Sequence, residues 1–311
     1  MIKFKFTIIG FLVLSLHNFI SIEILKDFNR NESYVHHMNP NEFKDIVYEV
    51  EDNGILTVTL NKPEIKNALS PLTLLELWYA VDHAGKDDRV KVMILTGCEE
   101  ANAFSSGGYF NEEILKEIPK DHQDEVNLTD MASKKLCLKF WDFEKPVLTA
   151  INGLAVGGGF TLPLVCSDLV YIAEDAWIAF YFVKRAVMPD FATSYLLPFI
   201  VGFQRAKELL YFGERISAQK AYELNLGINK VLSHNELIPY VREQASRLIP
   251  PKGPSLAIKL MKKTIHAHFR DIIEQQLDLE NKGWKKTLRS KDFRRSIKAL
   301  KEKRDAKFIG E

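Results

Sequence analysis

Three consecutive glycines, Gly157–Gly159, constrain this chain more than any other feature of its sequence. An apolar run precedes them from Pro146 to Ile151, and another follows from Ser167 to Ala173. The segment therefore predicts a strand, a tight turn, a glycine-rich helix start and a second strand. Glycines at a helix N-terminus let a ligand approach the backbone and leave N–H groups free to donate, although close helix packing alone would also need them.

The glycine spacing excludes two common phosphate-binding motifs. A Walker loop needs Lys followed by Ser or Thr after its last glycine, and this chain has neither there. A dinucleotide-binding G-x-G-x-x-G fingerprint would need its last glycine where Thr161 or Leu162 stands. The triplet is therefore not predicted to bind a nucleotide in either of these ways.

A second strand-then-glycine element lies upstream. The short apolar run Lys91–Gly97 is followed by AFSSGGYF, which contains Gly107 and Gly108. Each of the two elements can present a backbone N–H group. A pair of convergent N–H donors is what an oxyanion hole requires for a thioester carbonyl that becomes an enolate.

Composition indicates an ordinary globular protein, with 46% hydrophobic and 27% charged residues in 311. The net charge is +1, but residues 251–311 carry 17 Lys and Arg against 8 Asp and Glu. This basic segment suits an anionic ligand such as a nucleotide phosphate, a membrane surface or RNA, or it is simply a solvated helical face. No aromatic-interleaved RNA motif accompanies it, so no specific nucleic-acid partner is expected.

The cysteines and histidines predict no metal site. Cys98, Cys137 and Cys166 are far apart and lack Cys-x-x-Cys spacing, which also argues against a disulfide framework and for a reducing compartment. His266 and His268 are two residues apart and would not share a helix face. The adjacent pair His36 and His37 is equally poor spacing for helical metal ligation.

The N-terminus resembles a targeting segment of uncertain destination. Lys3 and Lys5 precede an apolar run from Phe6 to Leu16, which is signal-peptide-like and short for a spanning helix. We interpret residues 1–42 as a targeting or linker segment, and we expect membrane contact only through this apolar run. The last residues do not match the peroxisomal tripeptide address.

The rest of the chain divides into a core over residues 43–250 and a helical region over residues 251–311. Asn53-Gly54 predicts a hairpin between strands 46–50 and 55–60, and Ser70 with Pro71 predicts the start of a helix. A polar stretch over 111–130 is predicted as helix and loop. Further helices are predicted over 131–143, 195–201, 204–212, 218–224, 255–269, 271–287 and 291–303. The alternation of strands and helices favours an α/β fold with largely parallel strands.

Several motifs then resemble one family in the same order. They are Asn61-Lys62-Pro63, Asn67-Ala68-Leu69, AFSSGG, Asn152-Gly153 with the glycine triplet, and Ile216-Ser217-Ala218. The chain resembles the crotonase superfamily, the enoyl-CoA hydratases and isomerases, over about residues 46–308. The resemblance implies an α/β spiral of ββα units, a C-terminal helical trimerisation region and hence a homotrimer. It also implies an acyl-CoA thioester ligand, in which coenzyme A is part of the substrate, and no separate cofactor.

The resemblance also implies site residues. It places the two oxyanion donors on the backbone N–H groups of Gly108 and Gly158. The implied substrate-binding residues are Lys62, Lys66, Ala68, Ser105, Ser106, Gly107 and Tyr109. Tyr109 departs from the family, which commonly has an acidic residue there. The basic C-terminal helices would suit the phosphates of coenzyme A, from this chain or from a neighbouring subunit.

The catalytic carboxylate decides the reaction. Hydratases of this family use two glutamates, and the matching positions here are Thr161 and Phe182 or a close neighbour, so hydration is not expected. Asp190, after Pro189, matches the position where similar Δ3,Δ2-enoyl-CoA isomerases carry one carboxylate, usually the longer Glu. A single base suffices to move a double bond through an enolate, and an apolar pocket would raise its pKa. The alternative is a purely structural role, in which Asp190 is a turn or N-cap carboxylate before the following helix.

The expected function is a Δ3,Δ2-enoyl-CoA isomerase of fatty acid beta-oxidation, in the mitochondrion or the peroxisome. Three alternatives stay open: another crotonase reaction such as hydration or ring isomerisation, a non-catalytic acyl-CoA-binding protein, and RNA binding through the basic helices. The aromatic run Phe180–Phe182 is expected either to line the acyl tunnel or to pack a trimer interface.

Overall fold

A computed structural model describes residues 38–109, 118–127 and 129–311 of the chain. Within these ranges ten strands form two sheets. The strands are β1 (Ile46–Val50), β2 (Ile55–Leu60), β3 (Val92–Gly97), β4 (Ala103–Ser105), β5 (Val147–Ile151), β6 (Leu154–Val156), β7 (Leu169–Ala173), β8 (Trp177–Ala179), β9 (Arg215–Ser217) and β10 (Lys230–Leu232).

Both sheets are mixed and mainly parallel. The larger one has the order β1-β2-β3-β5-β7-β10, and only the β1–β2 pair is antiparallel. The smaller one has the order β4-β6-β8-β9, with β9 antiparallel to β8. Every residue of β3 and β5 is buried, as expected for central parallel strands covered on both faces. The predicted α/β fold with largely parallel strands is therefore confirmed.

Ten helices of the described residues pack around and after the sheets. They are α1 (Pro71–Lys86), α2 (Lys134–Trp141), α3 (Gly158–Cys166), α4 (Thr193–Val201), α5 (Phe203–Phe212), α6 (Ala218–Glu223), α7 (His234–Arg247), α8 (Ser255–Ala267), α9 (Arg270–Thr287) and α10 (Lys291–Lys301). Of the stretch predicted as helix and loop over 111–130, part lies outside the described residues, and Lys120–Glu125 forms a short 3₁₀ helix. No described helix combines the length and apolar character that crossing a bilayer requires.

The sequence motifs with the clearest local preference adopt the predicted secondary structure. Asn53 Oδ1 accepts the Ile55 N–H at 2.9 Å in the β1–β2 hairpin, where Gly54 has φ +89°. Ser70 caps α1, because its Oγ accepts the Thr73 N–H at 2.9 Å and Thr73 Oγ1 accepts the Ser70 N–H at 3.2 Å. Helix α2 is shorter than predicted, since Ser133 has φ +56° and the helix begins only after it.

Helix α9, in the C-terminal region, packs on the core of its own chain. It contacts α2 and α4, and it buries Ile273, Leu277, Glu280 and Trp284 on one face. These four positions follow helical spacing, so a single stripe of α9 faces the core. This packing places a buried glutamate beside the segment that contains Asp190. The predicted domain boundaries after residues 42 and 250 stay predictions.

Candidate active site

The two glycine elements found in the sequence meet in space. Helix α3 begins at Gly158, as predicted, and Gly157 before it has φ +52°. A β-carbon built on Gly107 would lie 2.3 Å from the Val156 carbonyl oxygen and 3.5 Å from the Gly158 nitrogen. A β-carbon on Gly159 would lie 2.3 Å from the Ser105 carbonyl oxygen. Only glycine allows these two backbone segments to approach so closely.

The N–H groups of Gly108 and Gly158 are both available for a ligand. Leu69 pairs with Gly108 as a parallel bridge, in which Leu69 N–H donates to Gly107 O at 2.8 Å and Tyr109 N–H donates to Leu69 O at 3.2 Å. The Gly108 N–H therefore points away from Leu69. The Gly158 N–H belongs to the first turn of α3 and has no acceptor within its helix. Among the described residues neither N–H finds a backbone acceptor. Two such donors on touching segments form the arrangement that an oxyanion hole needs.

Asp190 lies next to this pair of donors. Its side chain is buried, at 8% exposure, and its Oδ1 accepts a hydrogen bond from Thr161 Oγ1 at 2.6 Å. Its Oδ2 lies 3.3 Å from where a β-carbon of Gly158 would be. The alternative that Asp190 is the N-cap of α4 is wrong, because the N-cap is Ala192 and no side chain caps that helix. The carboxylate instead faces the start of α3.

Burial gives Asp190 an unusual proton affinity. The pKa of its carboxyl is raised to about 8, mainly by desolvation; the hydrogen bond from Thr161 opposes this rise, and the negative charge of Glu280 adds to it. A carboxyl with a pKa near neutrality can both remove and return a proton at physiological pH. The predicted effect of an apolar pocket on this residue is therefore found.

Helix α9 binds the loop around Asp190. Trp284 Nε1 donates to the Pro189 carbonyl oxygen at 3.0 Å, and Glu280 Oε2 accepts the Ala192 N–H at 2.9 Å. Sequence reasoning missed both residues, since Glu280 is 88 positions from its partner Ala192. A usable signal existed, because Glu280 interrupts the apolar stripe of α9 and a carboxylate on such a stripe needs a buried partner.

A cavity of about 230 Å³ opens beside Asp190. Gly108 and Tyr109, two of the predicted site residues, contribute to its wall. Much of the remaining wall is apolar and includes Leu74, Leu75, Trp78, Met131, Leu136 and Trp284. Such a wall suits an acyl chain. The aromatic run Phe180–Phe182 does not border this cavity, and Phe180 instead packs edge-on against Phe160.

The predicted substrate-binding residues of the β2–α1 loop and the β4 segment contact each other. Ser106 N–H donates to Lys66 O at 2.9 Å, and Ser106 Oγ donates to Ile65 O at 3.0 Å. Lys62 Nζ forms an ion pair with Asp45 Oδ1 at 3.1 Å. The structure thus brings Lys62, Lys66 and Ser106 to the side of Gly107.

Two of the predicted substrate-binding side chains are buried. Ala68 is 5% exposed, and Ser105 is fully buried with its Oγ accepting the Gly107 N–H at 3.1 Å. These side chains shape the glycine turn from within. Asn67, which was noted only as part of a motif, joins the two segments: its Oδ1 accepts the Lys62 N–H at 2.8 Å and its Nδ2 donates to Ala103 O at 2.9 Å.

The sequence of this chain matches a family of known proteins. Residues 50–311 match the sequence profile of the enoyl-CoA hydratase/isomerase family. The chain is 30% identical over 267 residues to a crotonyl-CoA hydratase of Syntrophomonas wolfei, covering 86% of this chain and 98% of that protein. It is 28% identical over 260 residues to a 1,2-epoxyphenylacetyl-CoA isomerase of Escherichia coli, covering 83% of this chain and 96% of that protein.

A solved structure agrees as well. An enoyl-CoA hydratase/isomerase from Pseudoalteromonas atlantica T6c superposes with a TM-score of 0.73 at 25% identity, covering 86% of this chain and all of that one. The two mixed sheets followed by C-terminal helices are therefore the crotonase fold, as the resemblance implied. The family match spans most of the sequence, and the chain belongs to the enoyl-CoA hydratase/isomerase family.

Proposed function

We propose that this protein is a Δ3,Δ2-enoyl-CoA isomerase, which converts a 3-enoyl-CoA thioester into the trans-2-enoyl-CoA. One observation carries the proposal: the buried carboxylate of Asp190 lies beside Gly158. Gly158 begins α3, and its N–H group, which has no acceptor within the helix, could hold a thioester oxygen. The positions of the two hydratase glutamates are occupied by Thr161 and Phe182. Among the described residues, three carboxylates border the cavity, namely Glu125, Asp130 and Asp190. Glu125 is bound by Tyr79 and His122, and Asp130 accepts the N–H groups of Lys134 and Lys135. Asp190 is the one of the three that lies beside Gly158.

The reaction follows from these groups. The N–H groups of Gly108 and Gly158 would donate to the thioester oxygen, which makes the C2 protons more acidic. Ionised Asp190 takes a proton from C2, and the electron pair moves into the carbonyl to give an enolate. The enolate electrons return as the C2–C3 double bond forms, and the C3–C4 pair takes the same proton from Asp190 at C4. No atom is gained or lost, so no separate cofactor is required.

The main competing reaction is hydration, which the name of the Syntrophomonas wolfei relative describes for that protein. Addition of water needs one group to activate the water and one to deliver a proton. Thr161 has no proton affinity suited to that task, and its hydroxyl already donates to Asp190. Phe182 carries no polar atom. These two residues are the reason why we favour isomerisation.

The assembly and the place of action are also proposals. Large apolar side chains are exposed on α4, α5 and α8, including Phe199, Phe203, Phe212, Leu256 and Ile265. Exposed apolar patches of this kind are typical of subunit interfaces, which supports a homotrimer. A role in mitochondrial or peroxisomal fatty acid beta-oxidation follows from the proposed reaction. Size-exclusion chromatography with light scattering tests the trimer, and a monomer would contradict it.

The activity is tested with trans-3-hexenoyl-CoA, because its product conjugates the double bond with the thioester and absorbs in the ultraviolet. Wild type should turn this substrate over, and Asp190→Asn should lose about 100-fold or more of the rate. Asp278→Asn is the matched control, since Asp278 is exposed on α9. Faster hydration of crotonyl-CoA than isomerisation would contradict the proposal. Binding of acyl-CoA with no turnover would identify a non-catalytic protein.

A further inference from the structure

The backbone immediately after Asp190 has an unfavourable conformation. Phe191 has φ +52° and Ala192 has φ +56°, so two consecutive residues with β-carbons occupy the left-handed region. Such residues are rare outside glycine and persist only where surrounding contacts fix them. Whatever stabilises this turn therefore also determines where the Asp190 carboxylate points.

Glu280 provides that stabilisation from α9. Its side chain is fully buried. Oε2 accepts the Ala192 N–H at 2.9 Å, and Oε1 accepts the Ser194 N–H at 2.8 Å as well as the Ser194 hydroxyl. Both oxygens of one carboxylate thus bind the backbone on the C-terminal side of Asp190. On the other side, the Pro189 carbonyl accepts from Trp284, one turn further along α9.

We infer that Glu280 is a positioning residue for Asp190: by binding the backbone of the strained turn, it holds the catalytic carboxylate beside Gly158 without contacting substrate. The kinetic part of this inference rests on the proposed function. Trp284 is part of the cavity wall, but Glu280 is not. Any effect of Glu280 on turnover would therefore be indirect, through the turn that follows Asp190. A fixed carboxylate is needed because proton transfer at C2 and C4 demands a short and defined approach.

The charges around Asp190 provide a way to detect that Glu280 lies against it. Glu280 faces it from α9, the Cys137 thiol faces it from α2, and the neutral Thr161 hydroxyl faces it from α3. Burial raises the pKa of Glu280 to about 7, and burial also keeps the Cys137 thiol protonated by raising its pKa. Glu280 is therefore the only one of these three neighbours that carries charge near neutrality. Its removal should make Asp190 easier to ionise.

A purely structural anchor for α4 is the simplest competing explanation. It predicts that loss of Glu280 lowers stability and activity together, while the loss of a nearby negative charge lowers the Asp190 pKa under either explanation. A positioning role predicts a lower kcat in folded protein with a nearly unchanged KM. The two explanations therefore differ in measurable ways.

The test is Glu280→Gln, which keeps the size of the side chain but removes its charge and one acceptor. Asp278→Asn is the matched control on the same helix, because Asp278 is exposed and pairs with Lys134 on the surface. We expect Glu280→Gln to lower kcat about 10-fold or more with KM within about 2-fold of wild type. The acidic limb of its kcat/KM profile should move to lower pH. A wild-type kcat and pH profile in folded Glu280→Gln would overturn the inference.

A measurement that does not depend on turnover tests this inference independently of the proposed function. The ¹³C carboxyl resonance of Asp190, assigned with Asp190→Asn, is titrated in wild type, Glu280→Gln and Asp278→Asn. A lower pKa in Glu280→Gln alone shows that Glu280 lies against Asp190 even if 3-enoyl-CoA is not isomerised, and identical titrations overturn the inference. If Glu280→Gln does not fold, Ser194→Ala replaces it. That change removes a hydrogen bond that favours ionised Glu280, so the Asp190 pKa should again fall.

Discussion

Thr161 Oγ1 donates a hydrogen bond to Asp190 Oδ1 over 2.6 Å. Thr161 stands where hydratases of the family have a glutamate, so this position lacks an acid/base group and instead contributes a hydrogen-bond donor to the carboxylate of Asp190. The hydrogen bond favours the ionised form of Asp190, while burial favours the protonated form. Their balance sets the pH at which Asp190 can act as a base.

The first prediction concerns that balance. Thr161→Val keeps the shape of the side chain but removes the donor, so the pKa of Asp190 should rise above its wild-type value of about 8. The acidic limb of the kcat/KM profile should move to higher pH, and activity at pH 7 should fall. Thr57→Val is the control, because the Thr57 hydroxyl has no hydrogen-bond partner among the described residues. An unchanged profile in Thr161→Val would refute the role of the hydrogen bond.

The second prediction concerns stability. The pKa of Asp190 is about 8 in the folded protein and about 3.9 in an unfolded chain. The folded state therefore keeps a proton that the unfolded state releases, and its contribution to stability is complete below pH 4 and lost as pH rises to 8. Asp190→Asn carries no such charge, so its free energy of unfolding relative to wild type should increase by about 2 kcal/mol or more between pH 5 and pH 8.

Urea unfolding at the two pH values measures this difference. Asp278→Asn, at an exposed position, should show no comparable change with pH. A relative stability of Asp190→Asn that is constant or falls from pH 5 to pH 8 would mean that Asp190 is not buried in its folded environment.

The third prediction concerns the space beside Gly158. A methyl group there would lie 3.3 Å from Asp190 Oδ2 and 3.2 Å from Phe191 Cε2. Gly158→Ala should therefore displace the carboxylate and lower kcat about 10-fold or more, even though the N–H group remains. Gly85→Ala in α1 is the control, since nothing lies within 4 Å of its new methyl group. The control should keep full activity and gain up to about 1 kcal/mol in stability.

The fourth prediction concerns Asn67, which is 1% exposed and joins two loops of the substrate site. Asn67→Ala leaves the Lys62 N–H and the Ala103 carbonyl without their partner. The free energy of unfolding should fall by about 2–4 kcal/mol, because both groups are buried or nearly so. Asn102→Ala is the control, since Asn102 is exposed and shares the positive φ. Similar losses in both variants would assign the effect to backbone strain instead.

Elements with local signals could be predicted from the sequence. Asn53-Gly54 marks a hairpin because few other pairs accept that turn, and Ser70-Pro71 marks a helix start because both residues satisfy the first turn. The glycines of the site were also visible, because two short segments that each follow a strand contain so many of them. Their catalytic roles stay predictions.

Features that depend on distant partners could not be predicted in this way. Strands β4, β6, β8 and β9 have three residues each, too few to show a period. Helix α7 was missed, and it contains Pro239 in its interior, which normally argues against a helix. The position of Glu280 on the apolar stripe of α9 signals that it is buried, but nothing near it in the sequence specifies its contact with the turn after Asp190. The site therefore depends on long-range packing that local patterns do not encode.

The cavity wall also gives the protein an optical property. Of the four tryptophans in the chain, Trp78 and Trp284 border the cavity, while Trp141 stacks on His266 and Trp177 lies under Arg215. Half of the indole chromophores would therefore sense a change from water to acyl chain. Intrinsic fluorescence can follow ligand entry without any label, and it can do so in Asp190→Asn, where no reaction would obscure the signal.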